Sequence, residues 1–503
     1  MLSGFGFLLS ALLGIISFPP FGGWPIAFVA MIPFLVSSVS LPPAKAWKWG
    51  YLSGFIFFGG TLYWIGLNSG APPPLAWASA VVVVAILATV WAITAGAVAR
   101  TAHRHGLKWA ALLFVILYVF QEVFWGTGEL GFPWIVWGLS QTGFLPAMQM
   151  ADLVDIYGLS VWVLAVNALL FLAWKRAIPR TRAVWIALLV ISLPLIYGWA
   201  RIRQFRDGEP IHVAAVQANT PVDRKWHMSA EEITADYLRY SAPLSDTGTR
   251  LVVWPETATP APIRYRPWLR STLQRYADST GMYLLTGATD YEQMQNRGMV
   301  PYNAAFLFRP GDRDLLHSAK IHLVPFGERI PGQKLFPFLG KLHLGQAEWE
   351  PAKDIVVFPP EDGLPAHACL ICFEVVFPDI AARVVKGGAA LLTTITNDGW
   401  YGNSSGPYQH LALARLRAVA VRRSMVRSAN TGISALILPT GEVKQSLGYD
   451  RAGAIFGTVP TRHEITSAVR LSLVWPYLYS VMLLSVIVIL GMKARRTGGS
   501  RAS

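Results

Sequence analysis

Eight apolar runs, at residues 3–19, 24–41, 49–69, 76–99, 107–125, 157–174, 183–200 and 471–492, constrain this chain more than anything else in it. Each approaches the roughly 20 residues that a helix needs to cross a ~30 Å hydrocarbon core. A helix satisfies its own backbone there, where no water can. The composition agrees: 53% of the residues are hydrophobic and only 14% charged, with 20 tryptophans. So much apolar surface exceeds what a water-soluble core takes in. Eight transmembrane helices are expected, seven before residue 208 and one after residue 465.

Basic residues sort by loop. Lys45 and Lys48 follow the second run, Arg100, Arg104 and Lys108 the fourth, and Lys175, Arg176, Arg180 and Arg182 the sixth. Lys493, Arg495, Arg496 and Arg501 follow the eighth, whereas the alternate loops 20–23, 70–75 and 126–156 contain no Lys or Arg. Under the positive-inside rule both termini are cytoplasmic and the segment between the seventh and eighth runs lies outside. Arg201, Arg203 and Arg206 oppose that assignment, but long domains translocate largely regardless of charge. The first run has no basic residue before it and no small-residue cleavage site after it, so it reads as a retained helix rather than a cleaved signal. Much of the net charge of +14 falls in the cytoplasmic loops and tail, where anionic lipid is the simpler partner. No motif accompanies it that would point to nucleic acid.

Residues 208–465 have a different texture, with frequent charges and no run long enough to span. The expected division is 1–207, seven helices; 208–465, an inserted soluble domain; and 466–503, the last helix and a basic tail. Short strand-like runs recur: IHVAAVQAN (211–219), RLVVWPE (250–256), MYLLTGATD (282–290), YNAAFLF (302–308), HACLICFE (367–374), ALLTTITND (390–398) and ISALILPTGEV (433–443). Helical patterns at 230–242 and 408–430 lie between them. Strands alternating with helices argue for a layered α/β domain with helices covering apolar sheets. The Pro- and Gly-rich stretch 331–351 reads as a long loop, of the kind that often forms a lid or a binding surface.

The chain has two cysteines, Cys369 and Cys372, spaced C-x-x-C inside HACLICFE. A redox pair needs its first thiol at a helix N-terminus. Within a strand, positions i and i+3 point to opposite faces, which keeps the sulfurs apart. A zinc site would need a second Cys/His cluster, and the sequence has none. One cysteine acting as a lone nucleophile, with the other a bystander beside it, remains. Such a thiol needs a basic partner; Glu256, Glu374 on the same strand face as Cys372, Lys320 and Glu328 are the candidates. Taken singly, each of these carboxylates is as readily a structural one.

Together they carry a resemblance. WPE with Glu256, K-x-H-L-V-P-F-G-E with Lys320 and Glu328, C-F-E with Cys372 and Glu374, then TNDGWYG at 396–402, resemble in order the motifs of the nitrilase superfamily. With the eight-helix frame they look like the apolipoprotein N-acyltransferases, bacterial inner-membrane enzymes that complete lipoprotein maturation. The resemblance implies an αββα sandwich for the inserted domain and catalytic roles for Glu256 as general base, Lys320 as electrostatic stabiliser and Cys372 as acyl carrier. Glu328, Glu374, Phe373 and Trp400 would support catalysis or bind substrate, although Phe373 stands where relatives often carry Tyr. It further implies a phospholipid acyl donor, a diacylglyceryl apolipoprotein acceptor, no metal and no cofactor, in a monomer whose catalytic domain faces the periplasm. Phe336, Phe338, Trp349 and Trp400 could line a lipid entrance. Two other readings share parts of this pattern: a membrane-anchored amidase, and a lipid-binding protein without catalysis.

Overall fold

The structure, a computed structural model, describes residues 2–225, 227–295, 298–332 and 348–499. Residues divide into two units: Met1–Gly66 with Trp77–Arg201 and Leu471–Ser503, and Leu67–Ala76 with Ile202–Arg470.

In the first unit the apolar runs are helical. Among the described residues six helices are long and apolar enough to cross a membrane: Pro43–Leu67, Pro73–His105, Leu107–Trp125, Ala151–Trp174, Arg180–Phe205 and Trp475–Arg495. The first two of the eight runs form shorter apolar segments, Gly4–Ser17 and Ile26–Val39. The second of these is interrupted, as a 3-10 turn at Ile26–Phe28 followed by a helix at Ile32–Val39. Pro25 and Pro33 flank the interruption and supply no amide donors. Asn167 repairs it: its Oδ1 accepts the Met31 N–H at 2.8 Å and its Nδ2 donates to the Ala27 carbonyl at 2.8 Å. Broken backbone among apolar helices is tolerated where protein groups satisfy it in this way. Arg201, one of the arginines that opposed the sidedness, donates at 2.8 and 2.6 Å to Asp152, so its charge is neutralised within the unit.

The second unit holds eleven strands among the described residues: β1 Glu209–Gln217, β2 Leu251–Val253, β3 Tyr283–Met294, β4 Gly298–Phe308, β5 Leu316–Ala319, β6 His367–Ile371, β7 Leu391–Thr396, β8 Met425–Ala429, β9 Ser434–Ile437, β10 Val443–Leu447 and β11 Gly453–Thr461. They form a six-stranded sheet in the order β11-β1-β2-β3-β4-β5 and a five-stranded sheet in the order β10-β9-β8-β7-β6. At the centre of the larger sheet β1, β2 and β3 run parallel, with antiparallel strands on both sides, whereas in the smaller sheet β6, β7 and β8 run parallel from one edge and β9 and β10 complete it by antiparallel pairing. Alternate residues of the two sheets meet in one core, where Val213, Val253, Leu285 and Leu307 pack with Ile371, Ile395, Val426 and Leu436. On its other face the larger sheet packs Val252, Trp254, Leu284 and Phe306 against Ile233, Tyr237, Leu269 and Leu273 of the helices Ala230–Ser241 and Pro267–Thr280. Every residue of β6, β7 and β8 is buried, so the smaller sheet is covered on both faces along these strands, while its edge strand β10 is largely exposed.

Two expectations need correction. The helical pattern at 408–430 is a helix only over Ser405–Val421. Arg422 then takes a left-handed backbone, φ 51°, and the chain re-enters the sheet as β8. Nor does HACLICFE form one strand. β6 stops at Ile371, Cys372 has φ 52°, and residues Cys372–Val376 form a 3-10 turn. The period-2 alternation therefore ends before Cys372, and Glu374 shares no strand face with it.

Candidate active site

Strand ends deliver the three expected catalytic residues. Glu256 lies just beyond β2, Lys320 directly follows β5 and Cys372 directly follows β6. The first placement depends on Gly287 in β3, whose N–H donates to the Pro255 carbonyl at 3.2 Å. A Cβ there would come within 2.7 Å of Pro255 O and Thr257 N, and 2.8 Å of Glu256 Cα. Only glycine lets β3 approach so closely. The second placement rests on the Lys320 N–H donating to the Asn303 carbonyl at 2.8 Å. For the third, the positive φ of Cys372 turns the chain sharply out of the sheet, an uncommon conformation for a residue with a side chain.

Lys320 is fully buried and sits between two carboxylates, its Nζ 2.8 Å from Glu328 Oε1 and 3.4 Å from Glu256 Oε1. Burial works against its ammonium, but Glu328, Glu256 and the Cys372 sulfur outweigh that and hold its pKa well above the usual lysine value. Asn303 Nδ2 donates to Glu256 Oε1 at 2.7 Å and reaches Glu328 Oε1 at 3.4 Å. The second oxygen of Glu328 accepts the Val324 N–H at 2.8 Å. Cys372 is half-buried; burial and then the charge of Glu256 push its thiol pKa up, while Lys320 pulls it down. At rest the sulfur is a thiol, so attack requires a base to take its proton as the new bond forms.

Glu374, in the turn after Cys372, reaches across to the other sheet. Its Oε1 accepts the N–H groups of Ile321 at 2.6 Å and His322 at 3.2 Å, and its Oε2 accepts that of Ile371 at 2.7 Å. Burial raises its pKa to about 7 against those donors. It braces the segment after Lys320 against the segment before Cys372. Phe373 is buried and packs edge-on against Phe377 at 5.1 Å. Trp400 and Trp349 are half-buried. The Trp400 carbonyl accepts the Ser69 N–H at 2.8 Å and the Trp349 N–H donates to the Glu328 carbonyl at 3.0 Å. Phe336 and Phe338 lie outside the described residues, as does most of the loop 331–351.

The structure adds residues that the sequence reading passed over. Asn303 is one, a polar residue second in the apolar run YNAAFLF, and that interruption was its signal. Lys225 is another: fully buried, it donates to Thr257 Oγ1 at 2.7 Å and reaches the Glu256 carbonyl at 3.4 Å. Burial lowers its pKa to about 8, opposed by Glu256. Behind Cys372, Thr396, Asp398, His410 and Arg427 form a buried polar cluster. Among the described residues one group, Asp290, Glu292 and His317, has a metal-like spacing. Its two carboxylates already pair with Arg264, at 2.5 Å to Asp290 and 3.4 Å to Glu292.

Residues 212–465 match the carbon-nitrogen hydrolase family, and residues 10–169 match the apolipoprotein N-acyltransferase N-terminal domain. The apolipoprotein N-acyltransferase of Geobacter metallireducens is 34% identical over 447 residues, covering 87% of this chain and 85% of the relative. That of Chlorobaculum tepidum is 30% identical over 494 residues, covering 91% of each. The chain belongs to the apolipoprotein N-acyltransferase family. Among solved structures, Saccharomyces cerevisiae Nit3, a member of branch 10 of the nitrilase superfamily, aligns with a TM-score of 0.39 at 19% identity, over 50% of this chain and 89% of Nit3. Within an apolipoprotein N-acyltransferase, the carbon-nitrogen hydrolase match encloses Glu256, Lys320 and Cys372, and the N-terminal match covers the second to fifth apolar runs and parts of the first and sixth.

Proposed function

We propose that this acyltransferase moves a fatty acyl chain from a membrane phospholipid to the α-amino group of the diacylglyceryl-cysteine that begins an apolipoprotein, by way of a thioester on Cys372. The observation that carries the assignment of residues is the buried contact of Lys320 with Glu256 and Glu328 at the strand ends beside Cys372. Glu256 takes the thiol proton as Sγ attacks the ester carbonyl, then returns it to the departing lysophospholipid oxygen. Lys320 directs two of its three N–H groups at Glu328 and Glu256, which leaves a third for the oxyanion beside the Phe373 N–H. Such donors are commonly worth ~3–4 kcal/mol each. In the second half-reaction the neutral amine attacks the thioester, Glu256 accepts its proton, and the thiol is restored.

All eight apolar runs cross the bilayer in this reading, and an even number returns both termini to one side, the cytoplasm. The domain 208–465 then works at the periplasmic face of the bacterial inner membrane, in a monomer. The basic-loop pattern and the Asn167-capped break in the second run support that topology.

The test uses the full-length protein in detergent with phosphatidylethanolamine alone, analysed by peptide mass spectrometry. An acyl group on Cys372 that disappears when a diacylated lipopeptide is added, as the lipopeptide gains it, is the expected result. Cys372→Ala should lower both half-reactions by roughly 10⁴-fold or more. Transfer by the alanine variant at the parent rate, or acyl groups on another residue, would overturn the assignment.

A further inference from the structure

The cluster behind Cys372 has no part in the mechanism above, although it touches the sulfur. β6 and β7 run parallel with Ile371 opposite Ile395, so the next residues, Cys372 and Thr396, come off the paired ends together. Thr396 Oγ1 lies 3.3 Å from Cys372 Sγ and 3.1 Å from Asp398 Oδ1. A hydroxyl has one proton and here meets two acceptors. Asp398 is held in turn by Arg427 Nη2 at 2.7 Å and His410 Nδ1 at 2.9 Å, and its charge is favoured despite burial. His410 Nε2 lies 3.1 Å from the Cys372 carbonyl oxygen, so the cluster also grips the backbone of the left-handed residue.

We propose that Thr396 is a further catalytic residue, whose hydroxyl donates to Asp398 while Cys372 is a thiol and turns its proton to Sγ as negative charge gathers there. This rests on Cys372 being the nucleophile. The proton balance of the reaction is unchanged: the thiol proton goes to Glu256, and the Thr396 proton stays on Oγ1 and only changes acceptor. The electron pair left on sulfur forms the C–S bond, and when that thioester later breaks, the hydroxyl stabilises the sulfur as leaving group. Asp398, His410 and Arg427 are positioning residues, since they act through Thr396 and the Cys372 carbonyl. A hydroxyl facing a buried carboxylate on one side and a sulfur on the other is suited to a charge that comes and goes, because hydrogen bonds to charged partners are the stronger ones.

The charged and titratable groups around Sγ are Glu256 beyond β2, Lys320 and Glu328 beyond β5, and Glu374 in its own turn. Asp398 and Tyr401 follow β7, His410 lies on the helix Ser405–Val421, and Arg427 is on β8. Thr396→Val removes the hydroxyl and keeps the shape, whereas Thr396→Ser keeps the hydroxyl, and neither alters those groups. The experiment follows alkylation of Cys372 by iodoacetamide against pH in the full-length protein, with acylation from dioleoyl phosphatidylethanolamine measured in parallel. Modification sites are read by mass spectrometry. Thr396→Val should shift the alkylation profile upward by about one pH unit and slow acylation about tenfold, and Thr396→Ser should recover most of both. A Thr396→Val profile superimposed on the parent's would overturn the proposal, as would equal slowing in both variants with an unmoved midpoint. Parent protein acylated at a residue other than Cys372 would remove the nucleophile assignment itself, an outcome distinct from either.

Discussion

Lys225 shows how much a single buried charge can tell. It is enclosed beside the Glu256 carbonyl and bonds Thr257, a residue whose own φ is 46°. Burial holds its pKa at about 8, against an ordinary 10.5. The folded protein therefore discharges this lysine as pH rises through about 8, while the unfolded chain keeps it charged until near 10.5. A depressed folded pKa contributes stability that is fully present only above the unfolded value and is lost as pH falls through the folded one. Parent stability should thus rise relative to Lys225→Met between about pH 8 and 10.5, by up to ~3 kcal/mol. Thermal unfolding of both proteins in detergent across that interval measures the difference. A constant gap would show that the ammonium is not buried as described. The same residue scale holds Cys369, buried in the sandwich core with its thiol pKa pushed up by burial to about 12. Its side chain packs within that core, as expected of a small apolar residue.

At the scale of elements, the turn Cys372–Val376 joins the two sheets into one site. Its Glu374 spans from the end of β6 to the segment after Lys320, with three backbone N–H groups shared between two oxygens. A glutamine there can accept with only one of its terminal atoms, and its amide N–H₂ would face a backbone donor in either orientation. Glu374→Gln should therefore cost about 1–3 kcal/mol of stability and lower acylation of Cys372 more than it changes the apparent affinity for phospholipid. Kinetics with dioleoyl phosphatidylethanolamine would show this as a fall in kcat at nearly constant KM. An unchanged kcat would mean that the turn is held by other contacts. The short β5 before Lys320 gave no apolar run to read, whereas the strands before WPE and C-F-E were legible as short apolar runs. β8 was not. Its residues continue the apolar pattern of the helix before them, and only the left-handed Arg422, a tertiary choice with no glycine to announce it, separates the two.

Over the whole molecule, Leu67–Ala76 falls between two of the long apolar helices in sequence yet packs with the α/β unit, where Ser69 bonds Trp400. That loop contains no Lys or Arg, as expected of one lying on the same side as the domain. The topology proposed above can be read directly by single-cysteine labelling in a background that carries both Cys369→Ala and Cys372→Ala. Asp246→Cys in the α/β unit should react with an impermeant maleimide from outside the inner membrane of intact spheroplasts. Lys108→Cys and Arg495→Cys should react only after permeabilisation. The reverse pattern would invert the protein.

By itself the sequence determined the solvent of each part. Hydrophobic length and loop charge are local sums, so the apolar helices, the inserted α/β domain and the order of Glu256, Lys320 and Cys372 along the chain follow from it. Only the tertiary structure decided how those groups meet. The pairing of Lys320 with Glu256, the reach of Glu374 across two sheets and the contacts of Thr396 with Cys372 and of Asp398 with Arg427 join residues distant in the chain. No periodicity records such contacts, because they arise from sheet register and from one backbone turn at positive φ, and neither leaves a repeating mark on the residues that make them.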